Sequence, residues 1–362
     1  MLILISSSAQ QRYADDIIRA LAHPAGTSFQ FRYDKKYVDG LLSQRSLAGE
    51  PVLICYLSVD AAAKTARLIP CRFATVVKVE IVGSSWIFTL NAGSFVAALD
   101  DAAIRAGLQQ GERDQIPAFD AQGNGPSGKF ALSVGAEFHR NSQYAPGTKA
   151  MAAFEATATA LSADPRFAPG KGLSFFTVFA LNTTDRWWWS RRKGSIEILP
   201  ADGRYSLWLG WRYWLELYSY SPAGGAPLAY PSKLACESSD PAVRFTASAS
   251  HTLDSRYDLN RSHFTSTPAQ MSVPAGVRIS LKIPDQAKPS DVVDRCDITL
   301  EARFRGALGW TIARIGFIAV GAAAPAAIAA LKADQFTWPL FAMMIVGGAI
   351  AAVGTLFPTL KG

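Results

Sequence analysis

The chain has 362 residues, 49% hydrophobic and 18% charged, with a formal net charge of +7. That length accommodates two folded domains and a further segment, at about 100–200 residues per domain. Before Gly306 the charge balance is only +5, a mild and dispersed excess that suits a domain near anionic lipid but does not by itself imply nucleic-acid binding.

The opening MLILISSSAQQR has no basic start and only a short apolar run, which predicts no secretory signal and a cytoplasmic location for the folded region after it. Residues 1–138 read as an α+β domain. Gln10–Ala22 has helical periodicity, with Tyr13, Ile17, Ile18 and Leu21 on one face, and His23-Pro24-Ala25-Gly26 breaks it. SFQFRY, PVLICYLSV, ATVVKVEIV and SWIFTL read as strands, rich in β-branched and aromatic residues. Val82-Gly83-Ser84-Ser85 reads as a hairpin turn, and 98–110 as a short helix. Together these predict a small curved sheet or barrel. FQFRYDKKYV places Arg32, Lys35 and Lys36 among aromatics, and Arg72 lies on a nearby predicted strand. Arg32, Lys35 and Arg72 are candidates to line an anion pocket, against the alternative of solvated strand ends.

Residues 139–171 read as a linker that includes a short helix, since Gly, Pro, Asn and Ser dominate 111–148 and MAAFEATATALSADP ends at Pro165. Residues 172–306 carry FFTVFAL, SIEILPA, YSLWLGWRYWLELYSY, VRFTASAS, VRISLKI and DITLEARF at the spacing of an antiparallel β-sandwich. Within it, Arg186-Trp187-Trp188-Trp189-Ser190-Arg191-Arg192-Lys193 stands out. Side chains alternate along a strand, so three consecutive tryptophans cannot all face one core. Arg186, Trp187, Trp189, Arg191 and Arg192 are therefore candidates for ligand or partner binding. They suit a subunit contact, a lipid interface or a nucleotide, the alternative being a hairpin turn with packed rings and solvated cations.

Beyond Gly306, ALGWTIARIGFIAVGAAAPAAIAAL and FTWPLFAMMIVGGAIAAVGTLFPTL each approach the roughly 20 apolar residues of a membrane-spanning helix. They predict a transmembrane hairpin over 307–362, with helices at about 307–331 and 338–358. Arg303, Arg305, Arg314 and Lys361 flank it, which predicts both termini inside and the turn near 332–338 outside. Arg314 either snorkels or lines a polar path in an assembly. Gly321, Gly347, Gly348 and Ala351 would permit close helix packing, and Pro325 would kink the first helix.

Catalytic motifs are sparse. HExxH, GxSxG, P-loop and dinucleotide glycine patterns do not occur. His251 and His263, with Asp254 and Asp258 between them, match no standard metal spacing and read as a polar hairpin. The four cysteines are far apart, with no CxxC pair, and read as reduced structural residues. No cofactor or metal is expected.

The order of parts, a β-rich region followed by two short apolar helices, resembles the membrane effectors of bacterial antiphage signalling systems, in arrangement only. That resemblance implies an inner-membrane location, homo-oligomerisation and a sensing role for the soluble region, with lipid and a protein partner or nucleotide-like ligand as partners. The expected function is thus a non-enzymatic sensor or effector that perturbs the inner membrane. An anchored protein-interaction scaffold is the alternative, followed by a tethered hydrolase.

Overall fold

A computed structural model describes residues 1–38, 47–96, 99–135, 150–167, 174–184, 195–222, 230–241, 243–246, 249–266, 273–284 and 292–305, together with 312, 315–319, 321, 337–339, 341–342 and 345–349. The first unit comprises β1 (Leu2–Ser7), α1 (Gln11–Ala22), β2 (Ser28–Asp34), a 3-10 turn (Lys35–Tyr37), β3 (Pro51–Asp60), β4 (Thr65–Val82), β5 (Ser85–Phe95), α2 (Asp101–Gly107), α3 (Gln110–Arg113) and β6 (Lys129–Ser133). Its six strands form one sheet in the order β2-β5-β4-β3-β1-β6. The sheet is open, with β2 and β6 at its edges, rather than a closed barrel. It is also mixed: β1 runs parallel to β3, with Leu4 opposite Ile54, and antiparallel to β6.

The parallel pair explains the composition of its strands. Leu2 and Leu4 face one core with Val52, Ile54 and Tyr56, while Ile3 and Ile5 face another with Leu53, Cys55 and Leu57. Strands covered on both faces read as continuous apolar runs rather than as alternations. The smaller core is closed by Ile104 of α2 with Leu108 and Ile116.

The second unit is a sandwich of two five-stranded sheets. One has the order β12-β14-β10-β7-β8, made of β7 (Phe175–Thr184), β8 (Ser195–Glu197), β10 (Arg212–Tyr220), β12 (Val243–Phe245) and β14 (Tyr257–Ser266). The other has the order β13-β11-β15-β16-β9, from β9 (Tyr205–Trp208), β11 (Ser232–Ser238), β13 (Ser250–Leu253), β15 (Val273–Pro284) and β16 (Val292–Arg305). The expectation of a purely antiparallel sandwich is corrected at one edge, where β9 runs parallel to β16. Between the units in sequence lies α4 (Ala150–Ser162).

One hydrophobic core runs through both units. It does so because α1 is wedged between them, packing on β1 and β4 and also on β7 and β16. Ala14, Ile17, Ile18, Ala20, Leu21 and Ala22 are all buried. The polar residues of α1 clasp the sandwich: Asp15 pairs with Arg295 at 3.0 Å, and Arg19 donates to the Asp297 carbonyl at 3.2 Å. Burial raises the Asp15 carboxyl to about 6, with Arg295 opposing the rise. On the other flank, Asp16 meets the ammonium of Lys129. A second clasp is steric. Gly203 has φ +79°, and a Cβ there would meet Ser28 Oγ at 2.0 Å, so the 200–204 turn seats against Ser28 only as glycine.

The C-terminal expectation is overturned. Among the described residues no helix is long and apolar enough to cross a membrane. Apolar composition is a necessary condition for a span. A helical crossing also requires one continuous helix of about 20 residues, and that is what the described residues lack. The hairpin with helices at 307–331 and 338–358, the membrane and transmembrane assignments, and the inner-membrane location with both termini inside and the 332–338 turn outside are withdrawn on this finding. Gly321 and Gly347 are buried and Gly348 is exposed; Arg314, Pro325 and Ala351 lie outside the described residues.

Candidate functional site

The outward face of the β12-β14-β10-β7-β8 sheet is the most distinctive surface of the molecule. Its geometry comes from period-two alternation along β10. Tyr213, Leu215 and Leu217 point into the sandwich and are buried. Trp214, Glu216, Tyr218 and Tyr220 point the other way, and the antiparallel register sets them opposite His263, Arg261, Leu259 and Tyr257 of β14. Helix α4 covers part of this row: Tyr218 donates to Glu155, Thr159 and Tyr220 share a hydroxyl hydrogen bond of 3.1 Å, and the Phe154 ring lies 5.9 Å from that of Tyr218.

The rest of the row is open. Trp214 and His263 lie ring to ring at 5.8 Å. Arg261 donates to Glu216 at 3.1 Å, and the Trp214 indole N–H reaches the same carboxylate at 3.4 Å. Tyr257 is 64% exposed and Leu259 53%. Phe179, the extra residue of the β7 bulge opposite Glu216 and Leu217, is exposed beside them.

What marks this face is the inversion of β14. Leu259 and Tyr257 face outward, while the intervening Asp258 and Asn260 face the sandwich interior. Among the described residues Asp258 Oδ2 and Asn260 Nδ2 are shut away from solvent with no hydrogen-bond partner. A strand with one solvated face normally carries polar residues outward and apolar residues inward. Asn260 stands opposite the fully buried Leu217, which fixes the direction.

The residues that the sequence singles out are dispersed. Arg186, Trp187, Trp189, Arg191 and Arg192 lie outside the described residues, but the segment that contains them joins Thr184 to Ser195, and these two pair at the edge of this same sheet. Arg32 lies on β2 and donates to Ser85 Oγ at 2.8 Å; Lys35 is exposed in the 3-10 turn. Arg72 is elsewhere. Arg32 stands opposite Ile87 of β5 and Arg72 opposite Phe95, eight residues along the same strand or roughly 26 Å. The structure does not bring them together into one anion pocket. Arg72 is buried, and its guanidinium donates to the carbonyls of Ala20, Leu21, His23 and Gly93.

One group of reactive side chains meets between the two sheets. His251 Nε2 lies 2.7 Å from Ser262 Oγ, and Cys236 Sγ lies 3.3 Å from that hydroxyl, but Ser262 is fully buried between the sheets. A nucleophile must meet its substrate, so this contact pins β13 to β14 across the sandwich. His263, the next residue, points to the opposite face. Among the described residues no group of three or more His, Cys, Asp or Glu could hold a metal ion.

The signal for the open face was present in YDLNRSHF, where Tyr, Leu, Arg and His alternate with Asp, Asn, Ser and Phe. The expectation of a polar hairpin does not capture it, because alternation reveals two faces without saying which is inside.

No known relative decides the matter. No protein-family model matches the chain, and no curated protein or solved structure does either.

Proposed function

We propose that the chain is a non-enzymatic protein-interaction module that docks a partner protein on the open β14–β10–β7 face. The observation that carries this reading is the inverted β14, which holds Tyr257 and Leu259 in water and Asp258 and Asn260 inside. Exposed apolar rows beside Arg and Trp are the composition of interface cores. A covering partner would bury the rings and aliphatic side chain that the fold itself leaves open.

Charge sets the partner class. Arg261, Arg212 and Arg244 are exposed on this face, so an acidic rim around an apolar centre is the complement. A nucleotide fits less well, because the Glu216 carboxylate sits in the middle of the row, where it would repel phosphate.

A photo-crosslinking residue at position 257, with a control at the exposed Lys233 on the opposite sheet, tests the reading in cells. The expected result is a discrete crosslinked protein from position 257, absent from position 233 and abolished by Leu259→Asp. Equal products from both positions, or none that depends on Leu259, would overturn the reading.

A further inference from the structure

A second surface belongs to the first sheet and is independent of the β14–β10–β7 face. β3 begins at Pro51, opposite Thr75 of β4, and the backbones of Gly49 and Glu50 extend the contact to Val76. From there β4 continues to Val82, paired with β5 on one side only. Among the described residues nothing pairs with its other edge. Val77, Ile81 (57% exposed) and Val82 (58% exposed) stand in solvent there.

The direction of the backbone groups can be derived. Val82 and Ser85 flank the two-residue turn Gly83-Ser84, which makes them a hydrogen-bonded pair. Pairs alternate along the ladder, so Glu80 and Lys78 also bond toward β5, while the N–H and C=O of Val79 and Ile81 point to the open edge. The far end agrees. Val76 directs its N–H to Glu50 and accepts from Gly49 on that same edge, and the bulge between Val76 and Lys78 shifts the phase by one residue.

An open edge with outward N–H and C=O groups is a template for another strand. The sequence of this edge specifies which one. Val77-Lys78-Val79-Glu80-Ile81 is self-complementary about Val79. If two copies pair antiparallel with Val79 opposite Val79, each Lys78 falls opposite Glu80 of the second copy, and each Val77 opposite Ile81. Lys78 and Glu80 already lie together on one face at 3.0 Å, so the second copy would complete a square of alternating charge. Charges on an edge strand normally guard against pairing; here their order favours one register and opposes others, because a slip by two residues sets like charges face to face.

We infer that this edge is a homodimer interface: two copies join through antiparallel β4 strands centred on Val79, and their two sheets become one continuous sheet. The interface is short, which fits a weak and reversible dimer rather than an obligate one.

Sedimentation equilibrium of the full chain over a concentration series provides the test. A monomer–dimer equilibrium is expected. Glu80→Lys sets Lys opposite Lys twice and should raise the dissociation constant roughly tenfold or more. The double variant Lys78→Glu/Glu80→Lys restores every opposite-charge pair and should return it to near the parent value. Val79→Pro removes an N–H that points away from β5, so it should abolish the dimer and lower the melting transition no further than Val79→Ala, which loses the same packing against the core. A chain that stays monomeric at the highest concentration it tolerates would overturn the inference. So would a dimer indifferent to Glu80→Lys and Val79→Pro. Loss of the crosslink from position 257 bears on the other face and leaves this result untouched.

Discussion

The Arg72 guanidinium donates to the carbonyl oxygen of Ala20 at 2.8 Å, from a site that is 1% exposed. It also bonds the Leu21 and His23 carbonyls, so a single side chain of β4 closes the C-terminal end of α1. The last carbonyls of a helix lack partners within it, and a cation there also meets the negative end of the macrodipole. Burial pulls the guanidinium down to about 9, still charged near neutrality. Because α1 is the wedge between the two units, this contact sets how the sandwich sits on the first sheet.

Arg72→Met should therefore cost about 3 kcal/mol or more, since it strands several buried carbonyls at once. Arg72→Lys should lose nearly as much, because a point ammonium cannot span both Gly93 on one side and the helix end on the other. Urea unfolding of both variants checks this. A loss under about 1 kcal/mol would show that water replaces the guanidinium.

His23, buried and stacked on Phe29 at 5.2 Å, makes the fold sensitive to acid. Burial first, then the Arg72 charge, lowers its imidazole to about 3. The unfolded chain takes up a proton near pH 6.5, while the native state resists until about 3. The histidine's contribution is thus fully present above pH 6.5 and falls as pH drops through that window, by up to about 1.4 kcal/mol per unit. Asp15, raised to about 6, slopes the opposite way between pH 4 and 6. Comparison with His23→Phe isolates the first effect. Thr27 Oγ keeps its bond to the Pro24 carbonyl in that variant, so the difference in stability between parent and variant should shrink or reverse as pH falls from 7 to 4. A constant difference would mean that His23 takes up its proton in the native state over the same pH range as in the unfolded chain.

Some of this was legible in the sequence. The 3.6-residue period of Gln10–Ala22 marks a helix that begins at Gln11 and ends at Ala22. SFQFRY and SWIFTL mark β2 and β5 because each has one face in the core. The first strand, Leu2–Ser7, escapes notice for the opposite reason: LILI is buried on both faces and has no alternation to detect. Arg72 defeats any sequence reading, since its neighbours do not reveal that four carbonyls converge on it. Asp258 and Asn260 mislead in the same way, as polar residues that face inward.

All four cysteines are buried, each thiol is pushed up mainly by loss of hydration, and Cys236 reaches about 11. Reactivity tracks the thiolate. At pH 8 a thiol-specific chromogen should therefore label less than one cysteine per native chain, and all four once urea unfolds it. Rapid labelling of one site in the native state would reveal local opening there, with β11 and Cys236 the first place to look.

Lys129 presents the last case. Lys129 is 6% exposed, and its ammonium meets the Asp16 carboxylate and lies 5.0 to 5.6 Å from the rings of Phe31, Tyr33 and Tyr13. Burial lowers its pKa, and Asp16 works against that fall. The attraction of three ring faces and one carboxylate offsets a desolvation cost that would otherwise neutralise the group. Removal of one partner should thus be far worse than removal of both. Lys129→Met leaves Asp16, among the described residues, with Arg19 alone at 2.8 Å and should cost about 3 kcal/mol. Lys129→Met combined with Asp16→Asn should recover at least half of that loss, because no uncompensated charge then faces Tyr33. Denaturant unfolding of the two single variants and the double variant measures the coupling directly. Additive losses would show that the ammonium is held by the rings alone.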